Sequence, residues 1–403
     1  MSSVAERSLE GSSLALRDFV LLWLCGLYLR LTLLVAPPLA PEIARELDLT
    51  VTAMGALTTL PVLMLALAAI AGAWVIARLG AQRTVALCLA LIALMSAARA
   101  GATAPWGLFL ATALMGLGIA ALQPALPTLV RLWAPGQIAM ATAVYMNGML
   151  MGEVLSAGFT LPVVMPLVGG EWRLAMLVWS LPGLLIGFWA WRHRPLGLRA
   201  ADVSDDNEAR PLWIPNFRDP AVWYLGAVLG TSASLFFGIN AYMGSILEQR
   251  GQGDQLAEGL FLFNTAQVVA SIAAFRYAGR WLGRARPMLG LLVTSLAGTL
   301  VFAALPGWGG LWAAFMVSLM AGILLILMVS MPAAMSAPAD TARLAAGMFT
   351  LGYALSFLVP LLSGVLVDLT GRALWALGPL LILNLISLPA AVLLARRYRQ
   401  VAI

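Results

Sequence analysis

Two charges stand out in a sequence that is otherwise mostly apolar. Arg30 sits in LLWLCGLYLRLTLLVAPPLAP (residues 21–41), and Glu153 sits in YMNGMLMGEVLSAGF (residues 145–159). An arginine at the centre of a bilayer costs at least about 2.5–3.5 kcal/mol on insertion scales, so ionisable groups kept there usually mark substrate or proton pathways. The two side chains offer different chemistry. Arg30 stays charged at any working pH and presents five N–H donors in a planar fork, which suits a carboxylate, a small linear anion or a nitro group. Glu153 can gain and lose a proton. An anion arriving at Arg30 would compete with Glu153 for the guanidinium and favour a protonated carboxyl, which is the chemistry of proton–anion symport. The simpler alternative is a fixed ion pair that clamps two helices, although apolar or small-residue packing would do the same at less cost.

The elements that must carry these groups are membrane helices. Of 403 residues, 62% are hydrophobic and only 10% are charged, where a soluble domain carries about a quarter. Continuous apolar runs of about 20 residues recur along the chain, which fits helical spans and not the alternating strands of a β-barrel. Polar and Gly/Pro breaks divide the chain into twelve spans: 18–40, 51–76, 83–103, 106–131, 138–165, 172–191, 219–248, 256–278, 286–305, 309–335, 341–368 and 373–395. Arg30 lies 12 residues into span one and Glu153 lies 15 residues into span five. At 1.5 Å per residue those depths are roughly 18 and 22 Å, both near the midplane. The two are therefore expected at one level of the membrane.

Neutral polar groups form the next tier of candidates. Gln123 precedes Pro124 in span four, where the proline is expected to open the helix and free a carbonyl. Asn147 is a substrate-site candidate that can instead bond to a neighbouring span. In the second part of the chain Asn240, Tyr242 and Tyr353 are expected to line the site, with Asn264 and Gln267 as further candidates, while Tyr28 and Thr32 lie near Arg30 in sequence. Met146, Met149 and Met151 would give an apolar lining. Three other charges read as anchors: Arg99 snorkelling to headgroups, Arg276 near an inner helix end, and Asp368 at an outer end. Trp106, Trp172, Trp308 and Trp312 fit an aromatic belt. Cys25 and Cys88 read as small packing residues, and the single His193 lies in a loop, so no metal site is expected. Gly116 and Gly118 lack the strand–helix context of a nucleotide loop, and no Walker motif is present.

Arginine placement gives the orientation. All 24 basic residues are Arg, and with both termini inside, the cytoplasmic segments hold seventeen of them and the outer loops only four (Arg45, Arg173, Arg250 and Arg372). The only long polar stretch, 192–218, separates a bundle at 18–191 from one at 219–395, with short cytoplasmic tails at 1–17 and 396–403. The halves read as a repeat. Gly80 and Gly283, Pro127 and Pro332, and Gly148 and Gly352 correspond at offsets of 203 to 205. At offset 204 Arg30 and Glu153 map to Ser234 and Phe357, so the charge is confined to the first half. Two parallel six-helix repeats describe a transporter that rocks around a central site.

This pattern resembles the major facilitator superfamily. The loop after span two, ARLGAQR, is a degenerate form of that family's G-x-x-x-D-R-x-G-R-R motif, with Ala77 where the Asp stands. Within the superfamily the chain is similar to the cyanate permease group, which also includes nitroimidazole transporters. The resemblance rests on YLRLTLLVAPPLAPEI, GLGIAALQPALPTLVRLW, GEWRLAMLVWSLPGLL and LGYALSFLVPLLSGVLVDLTG. It implies an all-α twelve-span fold, spans one and five bordering a central cavity where Arg30 and Glu153 would face one another, and a secondary transporter, not an enzyme. The expected cargo is a small anion or weak acid, cyanate-like, moved with protons. Glu153 departs from the small residues expected at its position, so proton coupling through it would belong to this branch. Export of small neutral or nitro-aromatic compounds is the alternative, and a transport-dead scaffold a third reading. No cofactor or nucleic acid is expected; a monomer in the cell's inner membrane is.

Overall fold

The computed structural model describes residues 15–133, 137–193, 215–336 and 338–401. Each of the twelve expected spans is a helix, and no strand occurs among the described residues. Span one is Leu16–Leu34 continued by Ala36–Leu47, span two Val51–Leu79, span three Ala81–Ala100 and span four Pro105–Trp133. Span five is Ile138–Phe159, extended through a π turn at Thr160–Val164 to Leu167, and span six is Trp172–Arg192. Spans seven to twelve are Pro220–Gln249, Leu256–Trp281, Ala285–Ala304, Gly307–Met335, Pro338–Thr370 and Leu377–Val401.

Prolines shape two of these helices in different ways. Pro37 and Pro38 carry no amide hydrogen, so the carbonyls of Leu33 and Leu34 lose their helical partners, and span one is interrupted at Val35. Span four, where a break was expected at Pro124, runs as one helix through Pro124 and Pro127. The Thr128 hydroxyl donates to the Pro124 carbonyl at 3.0 Å there. Pro162 falls inside the π turn of span five, where a wider turn absorbs a missing donor.

The repeat is visible in the packing. Span one lies along span five and span seven along span eleven; three packs on six and nine on twelve; two packs on four and eight on ten. Spans one and seven are the most enclosed, with 78% and 83% of their most apolar stretch buried, against 33% for the peripheral span nine. The first pairing is unusually close. A Cβ on Gly26 would stand 2.0 Å from the Tyr145 carbonyl oxygen; on Gly148, 2.1 Å from that of Trp23; and on Gly152, 2.3 Å from that of Leu27. Gly148 and Gly152 form a G-x-x-x-G step on span five, the spacing that lets membrane helices meet backbone to backbone.

We call the two ends of the bundle outer and inner after the arginine asymmetry. The halves meet through span two on eleven and span five on eight, a pseudo-symmetric pair of contacts. At the outer end the Asp368 carboxylate of span eleven accepts the amides of Val51 and Thr52, each at 2.9 Å, and the Thr52 hydroxyl. It thus caps the N-terminus of span two from across the interface and does more than anchor its own helix. Phe159 and Phe261 close the other contact edge to face at 5.9 Å. One continuous apolar core joins the first half to outer residues of the second, including Phe237, Met243, Leu260 and Val367. Val222, Leu225, Leu229, Met288 and Met328 form a separate core in the inner part of the second half. Among the described residues, these apolar contacts between the halves lie toward the outer end.

Two outcomes follow from this packing. Gly152→Val forces a methyl-bearing carbon onto the Leu27 carbonyl, so it should destabilise the purified protein by about 1–3 kcal/mol, read as a lowered Tm, whereas Gly290→Val, where the new carbon meets nothing within 4 Å, should not. Asp368→Ala removes the cap that reaches span two from the other half and leaves the helix's own cap, Thr50 on the Ala53 amide. Spin labels on the exposed outer residues Leu167 and Leu369, each changed to Cys, should then show a new, longer distance population; an unchanged distribution would mean that Asp368 does not hold the outer end shut.

Candidate functional site

The close approach of spans one and five sets the central pair. Gly152 lies against Leu27 and Leu31, so its neighbour Glu153 is carried to the level of Arg30. Arg30 Nε stands 3.6 Å from Glu153 Oε1, with 10% of one side chain exposed and 4% of the other. That is an ion pair at a distance too long for a hydrogen bond. Arg30 Nη1 and Glu153 Oε2 are buried and have no hydrogen-bond partner. The pair therefore keeps unused donor and acceptor capacity on both sides.

Above this pair the second half supplies an aromatic face. The Arg30 guanidinium carbon lies 5.1 Å from the ring centroid of Phe237 on span seven, within cation–π range. Arg30 is thus held from one side by its own half and covered from the other. Ser234, the repeat counterpart of Arg30, faces span eleven and donates to the Leu355 carbonyl at 3.2 Å. The counterpart helix faces match, and the charge is present in only one of them.

The remaining candidates do not gather around Arg30. Gln123 and Tyr353 meet each other across the halves, Nε2 to hydroxyl at 3.5 Å, at the long limit of a hydrogen bond. Tyr353 also stacks on Phe349 at 5.6 Å. Asn147 accepts the Trp23 indole N–H at 2.9 Å and so ties span five to span one. Asn240 accepts from Asn264 at 2.9 Å and donates to the Phe236 carbonyl at 3.0 Å, and Asn264 Oδ1 is left buried without a partner. Gln267 donates to the Ser318 carbonyl and hydroxyl at 2.9 and 3.0 Å, inside the second half. Tyr242 is a wedge in the outer contact. Its hydroxyl donates to the Pro360 carbonyl at 2.5 Å and fills the space left by Gly55 and Gly364. Tyr28 is turned into the first half, donating to the Trp179 carbonyl at 2.8 Å. Met146 is exposed, and Met149 and Met151 are half-buried. No cluster of His, Cys, Asp and Glu suited to a metal occurs among the described residues.

Two anchors are corrected. Arg99 does not snorkel: it is fully buried and its Nη2 donates to the Thr32 carbonyl at 2.7 Å and the Ser96 hydroxyl at 3.0 Å. Ser96 stands one helical turn before Arg99, and that polar pair on one face was the available signal for an inward-turned arginine. Trp172 is not part of an exposed belt, unlike Trp106, Trp308 and Trp312; it is buried and donates to Glu46 at 2.5 Å. The side chain of Arg276 lies outside the described residues. Sequence reasoning also missed His193, which is buried and pairs with Asp18 at 2.6 Å beneath Trp133. A cavity of about 430 Å³ at the outer surface, lined by Ile246, Gln249, Arg250, Arg372 and Trp375, lies in the second half and includes none of these central residues.

Comparison with known proteins agrees with this architecture. The sequence model of the Major Facilitator Superfamily matches residues 22–356. The chain is 30% identical over 233 residues to the 2-nitroimidazole transporter of Escherichia coli (strain K12), a match that spans 58% of each protein. It is 25% identical over 371 residues to the cyanate transport protein CynX of the same organism, covering 91% of this chain and 94% of that one. Among solved structures, a D-xylose–proton symporter superposes with a TM-score of 0.75 at 12% identity over 93% of this chain and 96% of that one. A bacterial homolog of the human lysosomal transporter Spinster, inward-facing and unoccupied, superposes with a TM-score of 0.72 at 16% identity over 95% of each chain. With a family match over most of its length and twelve helices paired as two repeats, the chain belongs to the major facilitator superfamily, and it is a membrane transporter, not an enzyme.

Proposed function

We propose that the protein moves a small monovalent anion or weak organic acid across the cell's inner membrane by alternating access, together with a proton. One observation carries this reading: Arg30 and Glu153 stand in ion-pair contact without a hydrogen bond, each with a buried polar atom unpartnered, under a ring from the opposite half. A structural clamp would close that bond. An open one leaves the guanidinium edge free to take an anion and the carboxyl free to take a proton. In this reading Arg30 anchors the substrate, Glu153 carries the proton, and Gln123 and Tyr353 report across the halves as they close. Asn147, Asn240 and Tyr242 serve by holding the flanking helices. Residues 18–191 and 219–395 are the rocking units, with both termini and the linker 192–218 on the cytoplasmic side, and the working unit is the monomer. The cyanate and 2-nitroimidazole cargoes named for its relatives fit a guanidinium beside an aromatic face.

A second reading, export of small neutral or nitro-aromatic compounds, is favoured by the Phe237 ring and the methionines of span five. Proteoliposomes distinguish the two. Under an imposed pH gradient, saturable proton-stimulated uptake is expected for at least one anion in a panel that includes cyanate. Arg30→Ala should lower that uptake by about tenfold or more, the loss of a charge-assisted bond. No anion flux in either protein, with 2-nitroimidazole efflux present, would give the field to the second reading. Glu153→Gln should leave anion exchange in place and abolish its dependence on pH; proton-driven uptake unaltered in this variant would remove Glu153 from the mechanism.

A further inference from the structure

Arg99 is the one fully buried arginine among the described residues, and nothing so far explains why it is charged. It is 0% exposed and pairs with no carboxylate among the described residues. Its Nη2 grips the Thr32 carbonyl of span one and the hydroxyl of Ser96. Ser96 in turn accepts from Ser180 of span six at 2.7 Å, so three helices of the first half meet at this guanidinium. Nε and Nη1 of Arg99 and the hydroxyl oxygen of Thr32 remain buried without partners. A brace alone needs no charge, because a glutamine amide donates to a carbonyl equally well. A lone guanidinium held in a dry interior is expensive and is kept where it has electrostatic work to do.

Its position says what that work is. Thr32 is two residues beyond Arg30 and three before the interruption at Val35, on the same stretch of span one. Arg99 therefore holds the turn that presents Arg30, at the point where the proline pair weakens the helix. It also changes the charge of that region. Arg30 and Arg99 carry two positive charges against the single negative charge of Glu153, and in a medium of low dielectric such an imbalance is felt well beyond contact distance. We infer that Arg99 is a positioning residue for Arg30 and leaves the group Arg30, Arg99 and Glu153 one positive charge in excess while Glu153 is ionised, which a monovalent anion cancels on binding, before the proton joins. This rests on the anion reading above and adds to it a reason for the substrate's charge. While Glu153 is ionised, an anion with one negative charge neutralises this group; a neutral compound leaves it charged, and a dianion overshoots.

The inference is tested in proteoliposomes with cyanate, or with whichever panel anion the wild type carries best. Arg99→Gln keeps a donor for Thr32 and removes the charge. It should raise the apparent KM about tenfold or more with Vmax within about threefold, while Arg99→Lys should restore the KM to within about threefold of wild type. Ser96→Asp guards against a misfolded Arg99 variant. It sets a carboxylate beside the guanidinium, keeps Arg99 in place, and should raise the KM as Arg99→Gln does with no loss of Tm. A wild-type KM in folded Arg99→Gln or in Ser96→Asp, or a lysine variant as impaired as the glutamine one, would overturn the inference. A wild type that carries no anion at all would instead overturn the reading on which it rests.

Discussion

The contact on which the rest depends is the meeting of spans one and five without side chains between them. Three glycines bring the two backbones together, and no bulkier residue fits at any of them. In a bilayer, lipid tails compete with apolar side chains on nearly equal terms, so helices associate through close packing and polar contacts more than through exclusion of water. Gly148 and Gly152 supply the packing. Once it is in place, Arg30 and Glu153 are brought within ion-pair distance, and each lowers the expense of having the other there. The counterpart pairing of spans seven and eleven is less tight. Gly352 meets the Leu229 side chain instead of a carbonyl, and a serine and a phenylalanine stand in the charged positions. The duplicated scaffold has thus been kept while one copy was specialised for charge.

Much of this was legible in the sequence because the bilayer imposes simple rules. Apolar run length gave the spans, and counting residues from a helix end placed Arg30 and Glu153 at one level. What depth alone does not give is direction around the helix. Arg99 lies where a snorkelling arginine would lie, yet it points inward because the Thr32 carbonyl and Ser96 hydroxyl offer acceptors on that side. Trp172 was misread for a related reason, since the exposed Glu46 at the outer end of span one accepts its indole N–H and the ring is turned in against the bundle. Prolines misled in another way. Pro124 and Pro127 sit in a helix that stays continuous, whereas the adjacent Pro37 and Pro38 remove two successive donors and interrupt theirs. Cross-half neighbours such as Phe237 were out of reach, because a repeat read along one chain says nothing about which faces of the two copies meet.

The outer contact and the central pair work on the same pair of bodies. Asp368, Tyr242 and the Phe159–Phe261 edge hold the halves together on one side, and the inner part of the second half has an apolar core of its own. The pseudo-symmetry of the two seams, two on eleven and five on eight, lets one rotation open both at once. Span five takes part in one seam and also carries Glu153, so the seam and the carboxyl share one helix. The π turn at Thr160–Val164 lies just beyond both, toward the outer end, where its wider turn accommodates the missing amide donor of Pro162.

In the proposed proton–anion symport, the pairing of one acid with one base has an electrical consequence. An anion that enters with a proton adds no net charge to the moving halves, so the loaded and empty carriers present the same total to the membrane field. Work against a transmembrane potential is proportional to the charge displaced, about 2.3 kcal/mol per elementary charge per 100 mV. A carrier built on Arg30 and Glu153 displaces the same fixed charge on the outward and the return stroke, and the two contributions cancel over a cycle. Its accumulation ratio is then set by the pH difference alone, and a cell can depolarise without losing what it has taken up.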